Sequence, residues 1–177
     1  DLMNLSSEEP ATMKLYGLNP QNPQNGFARN VLMARRLCER GVRFVQVYHA
    51  GWDHHSNVEG GVRGQCKITD QACAGLISDL KQRGMLDDTL VIWGGEFGRM
   101  PFSEGQGAPG RNHNPYGFTM WMAGGGLKKG FSFGETDEIG YGGVNGRVDT
   151  FDIQATILHL LGFDHERLTY QSQGRPF

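Results

Sequence analysis

Arg40-Gly41-Val42-Arg43-Phe44-Val45-Gln46-Val47-Tyr48-His49 is the stretch on which the reading of the fold turns. Gly41 marks the end of a preceding helix. Phe27, Val31, Leu32, Ala34 and Leu37 recur at helical spacing through residues 26–40, with Arg36 and Arg40 near the negative end of the helix dipole. After the glycine the pattern changes. The apolar residues Phe44, Val45, Val47 and Tyr48 are too dense for a one-sided sheet, so residues 42–49 read as a strand covered on both faces.

Reading outward from that strand, a polar loop occupies residues 50–64, and a helix over residues 65–83 carries Ile68, Ala72, Leu76, Ile77 and Leu80 on one side. Residues 89–93 (Thr-Leu-Val-Ile-Trp) form a second strand. A long loop runs over residues 94–116, and a third strand covers 118–123. Residues 124–148 are glycine-rich, with short extended pieces at most. An apolar helix spans 150–161, closed by Gly162, and the tail is polar. Upstream, residues 1–25 read as an irregular leading segment with one short helix over 11–16 and a turn-rich stretch at Asn19, Pro20, Asn22, Pro23 and Asn25. Strands alternating with helices predict an α/β fold: a three-layer αβα arrangement around a mostly parallel sheet. Three strands are few for such a sheet, so further strands are expected from other sequence or from a partner chain.

Composition narrows the function classes. A net charge of -2 over 177 residues gives no support for nucleic-acid binding or a polybasic membrane contact. No apolar run reaches the ~20 residues that span a bilayer. Cys38, Cys66 and Cys73 contain no C-x-x-C. Cys66 and Cys73 lie seven apart in the expected helix, about 10 Å at 1.5 Å per residue, which is too far for a disulfide. Neither a G-x-S-x-G, a P-loop nor a G-x-G-x-x-G occurs.

The chemically loaded residues follow the expected strands, where open α/β sheets bind ligands. Gly51-Trp52-Asp53-His54-His55-Ser56-Asn57 follows the first strand. Gly94-Gly95-Glu96-Phe97-Gly98-Arg99 follows the second, and Gly110-Arg111-Asn112-His113-Asn114-Pro115 leads into the third. Converging loops would bring Asp53, His55, Glu96 and His113 together as ligands for a divalent metal, with zinc the leading candidate and manganese, iron, calcium or magnesium as alternatives. In an extended segment Asp53 and His55 point to one side, leaving His54 for a supporting or substrate contact. Arg99 and Arg111 suit an anionic ester, with Asn114 beside them. Gly94-Gly95 would let backbone approach a ligand closely. His49, His159 and His165, and Trp52 and Trp93, read as structural.

The segments Arg40-Gly41-Val42-Arg43-Phe44-Val45-Gln46-Val47, Gly51-Trp52-Asp53-His54-His55, Gly94-Gly95-Glu96-Phe97-Gly98-Arg99 and Ala155-Thr156-Ile157-Leu158-His159-Leu160-Leu161-Gly162 together resemble the domain-of-unknown-function 1501 family of bacteria. That family is similar to the sulfatases of the alkaline phosphatase superfamily. The resemblance covers residues 26–177 and implies the C-terminal half of such a domain, a partial alkaline phosphatase-like fold. It implies that Asp53 and His55 match the first ligand pair of the superfamily, Glu96 the start of the second, and His113 the later histidine. Two departures bear on the metal count. The first pair is spaced D-x-H, and Phe97 stands where the second pair has a histidine, so one metal is favoured over two. The resemblance further implies hydrolysis of a phosphate or sulfate ester by the full-length protein, a nucleophile from an N-terminal half not found in these residues, an inactive isolated chain, and export to the periplasm or beyond. The rival readings are a non-catalytic protein with a structural metal or an anionic-glycan site, and metal-dependent phosphotransfer.

Overall fold

The computed structural model of the chain describes residues 3–19, 26–107 and 109–176. The turn-rich residues 20–25 lie outside that set. Helix α1 is Pro10–Leu15, opened by a proline whose missing N–H costs a helix nothing at its first turn. Helix α2 is Gly26–Glu39. It ends as the sequence predicts: Gly41 sits at φ +83°, its N–H donates to the Cys38 carbonyl (3.0 Å), and the Val42 N–H donates to the Leu37 carbonyl (3.1 Å). Those two bonds satisfy carbonyls the helix leaves open.

Helix α3, Val58–Gln82, is seven residues longer at its start than its apolar periodicity predicts. Gly60, Gly61 and Gly64 suggest a loop by propensity. In the fold, the His54 imidazole lies flat on the first turn, and a Cβ on Gly61 would come within 2.3 Å of that ring. The glycine is there to admit the ring.

The three helices enclose the core. Leu5, Met13, Tyr16, Leu18, Val31, Leu32 and Ala72 are buried together, with Phe27, Leu37, Val47 and Leu76 against them. Through this core runs a charge network. Arg35, only 2% exposed, reaches Glu8 (2.6 Å), Glu39 (2.5 Å) and Asp79 (2.9 Å). The Tyr16 hydroxyl donates to Asp79 at 2.9 Å, and Arg83 bridges Asp79 (2.7 Å) and Glu39 (2.8 Å). Burial and the neighbouring Asp79 carboxylate push the Tyr16 phenol well above its ordinary value.

The expected three-layer fold around a mostly parallel sheet is not formed. Among the described residues eight strands make four antiparallel pairs of two or three residues each. Strand β1 (Val91–Trp93) pairs with β4 (Trp121–Ala123), and β2 (Gly98–Arg99) with β3 (His113–Asn114). Strand β5 (Glu135–Thr136) pairs with β6 (Gly143–Asn145), and β7 (Gln171–Ser172) with β8 (Arg175–Pro176). Parallel neighbours need a crossover, usually a helix. The segment between β1 and β4 holds only β2, β3 and turns, so the chain returns antiparallel.

Residues 42–49 are likewise not a strand, because no other strand bonds to them among the described residues. Their burial still alternates with a period of two. Val45, Val47 and His49 are half-buried, while Val42, Phe44 and Tyr48 face outward. The density that suggested two-sided burial is one-sided here. Helix α4 (Thr150–Leu160) forms where expected. Its start carries a capping box in which the Phe151 N–H donates to Asp149 and the Asp149 N–H donates to Asp152. None of its residues is fully buried. The three cysteines are free thiols.

Replacing Asp79 by Ala leaves the Arg35 guanidinium and the Tyr16 hydroxyl without their shared partner. Loss of one partner of a buried pair costs about 3–5 kcal/mol. Urea unfolding should show a loss of that order. A change below about 1 kcal/mol, the scale of an exposed ion pair, would contradict the central place given to this network.

Candidate metal centre

The site is assembled by short backbone ladders. Pairing of β2 with β3 sets Arg99 directly across from His113, and residues so opposed present their side chains on one face. The Met100 N–H donates to the Asn112 carbonyl (2.8 Å) and extends that register. The loop before α3 is tied to the same unit: the Arg111 N–H donates to the His54 carbonyl (2.9 Å) and the Val58 N–H to the Pro109 carbonyl (3.2 Å). These bonds carry Asp53 and His55 onto the face that holds His113.

Three ligand-type side chains meet there: Asp53, His55 and His113. Asp53 Oδ1 is 3.0 Å from His55 Nε2 and 3.0 Å from His113 Nε2. The two Nε2 atoms are 3.2 Å apart. Four donors around a tetrahedral zinc, each roughly 2.0–2.1 Å from it, are separated from one another by about 3.3 Å. The three observed separations match that edge length. With side chains 61%, 44% and 42% exposed, the triad opens to solvent on one side.

Arg99 Nη1 also donates to Asp53 Oδ1, at 2.7 Å. His55 Nδ1 meets Glu104 Oε2 at 2.9 Å. Phe97 packs against the His113 ring, with centroids 4.3 Å apart, and the Arg99 guanidinium lies over the Phe97 face. Hydrogen bonds from His113 and Arg99 lower the Asp53 carboxyl to about 2, so it is ionised throughout the neutral range. The Glu104 carboxylate, and then the charge on Asp53, raise His55 above its ordinary value.

A count of protons gives this geometry its meaning. Glu104 only accepts, so neutral His55 carries its proton on Nδ1 and presents a bare lone pair at Nε2. That lone pair faces the Asp53 carboxylate and His113 Nε2. Among three contacts of 3.0–3.2 Å, His113 supplies at most one proton. Beyond the Arg99 charge already bonded to Asp53, the centre of the triangle therefore lacks a bridging proton or cation. Either a second proton on His55 or a cation fills that place.

The expected residues divide. Asp53, His55 and His113 come together, and Arg99 joins them. Glu96 is exposed on the turn before β2 and is not in the triad. His54 turns away onto α3, as the alternation of an extended segment requires, and its Nε2 is buried without a hydrogen bond among the described residues. Arg111 Nη1 donates to the Gly110 carbonyl (2.9 Å) and Ser103 (3.3 Å) rather than to the triad. Asn114 is fully buried. Its amide donates to the Tyr141 carbonyl at 2.7 Å and accepts from the Tyr116 N–H at 3.1 Å, which makes it a structural residue. A Cβ on Gly94 would meet the Met120 side chain, so that glycine admits Met120 rather than a ligand. The sequence reading missed Glu104. It lies in a glycine-rich loop with no spacing relation to Asp53 or His55, and no linear signal marks it.

A family model described as "Protein of unknown function (DUF1501)" matches residues 1–177. No curated protein and no solved structure matches the chain.

The raised His55 value contributes stability that is complete below about 6.5 and is lost as pH rises through the higher folded value. Asp53 contributes stability that is complete above 3.8 and is lost as pH falls towards about 2. An NMR titration of the metal-free protein should place the His55 midpoint above about 6.5, and Asp53→Asn should lower it. A wild-type midpoint at or below that value would contradict the arrangement.

Proposed function

The chain belongs to the DUF1501 family, a membership that assigns no chemistry, and we propose on the geometry of the triad that Asp53, His55 and His113 bind one divalent metal, zinc first, in a centre that hydrolyses phosphate or sulfate esters. The carrying observation is the closed triangle of ligand atoms at 3.0, 3.0 and 3.2 Å, in which fewer protons than contacts are available. Three protein ligands with an open position are the pattern of catalytic zinc, whereas structural zinc sites are closed by four. The described residues supply three, the number that fits a catalytic metal.

The bound ion would act as a Lewis acid on an ester oxygen and offset the charge that develops as the bond breaks. The chain's own residues prepare that step. Asp53 stays ionised and supplies the negative ligand. His55 and His113 supply neutral lone pairs. Arg99 holds Asp53 through Nη1, and the other donors of its guanidinium fork have no bond among the described residues. In this reading they take an anionic ester oxygen. Phe97 shields one side of His113 and supports Arg99 from below.

The choice of phosphate and sulfate esters rests on the likeness of these motifs to the sulfatase-like branch of the alkaline phosphatase superfamily. In this reading the attacking group comes from chain outside these residues or from a partner, and the protein works in an exported setting. The exposed apolar side chain of Trp93 at the rim of a cavity supports a further contact. So does the open cavity of about 650 Å³ between α2, α3 and β1, since patches of this kind mark interaction sites.

Titration calorimetry of the 177 residues with Zn²⁺ should give one site. Asp53→Ala and His113→Ala should each weaken it at least tenfold, and binding should weaken as pH falls through the His55 titration, because proton and metal compete for Nε2. Aryl phosphate or sulfate should be cleaved in a metal-dependent manner by the full-length protein and scarcely by these residues alone. Absence of zinc binding in the wild-type chain sinks the reading.

A further inference from the structure

We propose that Glu104 is a positioning residue of the metal centre, holding His55 in the tautomer and ring orientation that present its Nε2 lone pair to the ion. The inference rests on the metal-binding reading above and deepens it by assigning the group that makes the site a ligand set rather than a hydrogen-bonded cluster.

The contact is Glu104 Oε2 to His55 Nδ1 at 2.9 Å. A carboxylate can only accept, so this contact selects the Nδ1–H form and leaves Nε2 free to ligate. A carboxylate behind a metal-bound histidine is a recurrent device of the same kind. Had His55 instead carried its proton on Nε2, that proton would point into the triangle and exclude a cation.

The backbone beneath this contact is fixed by its own hydrogen bonds. The Glu104 N–H donates to the Gly110 carbonyl (3.0 Å), and the Gly110 N–H donates back to the Glu104 carbonyl (2.8 Å). Gly110 is buried, and a Cβ there would stand 2.0 Å from the His55 carbonyl carbon. The backbone of Glu104 is therefore bonded to a residue that lies directly under the main chain of His55. Ser56 and Pro109 form a bridge on the next step. Glu104 thus approaches His55 from a pinned backbone.

Nothing else in the described structure accounts for this carboxylate. His55 is its one ion-pair and hydrogen-bond partner. The pair is exposed, at 38% and 44% for the two side chains, and exposed pairs add little to stability. Orientation of the imidazole is the effect that remains.

Two variants test this, Glu104→Ala and Glu104→Gln, with zinc as the only ligand. Thermal melts first establish that both are folded. In the metal-free wild type, in alkaline solution where the imidazole is neutral, ¹⁵N shifts should show His55 protonated at Nδ1. Glu104→Ala should lose that preference and bind zinc about ten- to a hundredfold more weakly. Glu104→Gln, whose amide oxygen still accepts from Nδ1–H, should recover most of both. The inference is overturned if wild-type His55 is protonated at Nε2, if Glu104→Ala binds zinc as tightly as wild type, or if Gln fails to restore anything. A wild-type chain that binds no zinc defeats the metal reading, while the tautomer measurement still decides the role of Glu104.

Discussion

A guanidinium cannot be left in an apolar interior without counter-charges, and Arg35 is 2% exposed. Around it the fold has to place Glu8 from the segment before α1, Glu39 one turn along α2, and Asp79 from α3. Helices α2 and α3 and the segment before α1 are thereby held at one point, and Tyr16 and Arg83 also donate to Asp79. Such a network adds little net energy over an apolar replacement, but it is costly to break in part. Its effect is to fix how α3 lies on α2. The apolar contacts of Leu32 and Ala72 then complete the packing.

Helix α3 carries that constraint to the candidate metal centre. Its C-terminal end holds Asp79, and its N-terminal end follows directly on the loop of Asp53 and His55. The His54 ring seated on Gly61 and the Val58 N–H bonded to Pro109 anchor that loop to both neighbours. The triad then falls between a rigid helix start and the two-residue ladder of β2 and β3. Neither element needs to be long. Two paired residues suffice to set Arg99 across from His113, because the side chains of opposed residues share a face.

The electrostatics of the centre also depend on neighbours rather than on burial. Asp53 is held low by His113 and Arg99, and His55 is held high by Glu104 and then Asp53. A carboxylate that stays ionised beside an imidazole that gains a proton readily is a pair that a proton or a cation can bridge. This is the property shared by metal sites and by exposed acid clusters that bind only protons. The two differ in tautomer: a lone pair turned inward accepts either, whereas a proton turned inward excludes a metal. The orientation of His55 therefore matters more to the chemistry than the mere nearness of the three residues.

Local pattern was sufficient for α2, α4 and their ends, though not for the start of α3, where Gly60, Gly61 and Gly64 read as loop. The periodicity of Phe27, Val31 and Leu32, the C-terminal Gly41, and the apolar run after Asp149 all encode short-range geometry that the chain obeys. The D-x-H alternation was equally legible: an extended segment must send Asp53 and His55 one way and His54 the other, and it does. Strand pairing was not legible. Residues 42–49 alternate in burial as a strand does, yet pairing requires a second edge that no local pattern supplies, and the segment between β1 and β4 contains no helix to bring the chain back parallel. Glu104 and Gly110 likewise entered only through the fold. Their contacts with His55 join residues about fifty positions apart, and a contact of that kind is specified by how elements pack rather than by spacing along the chain.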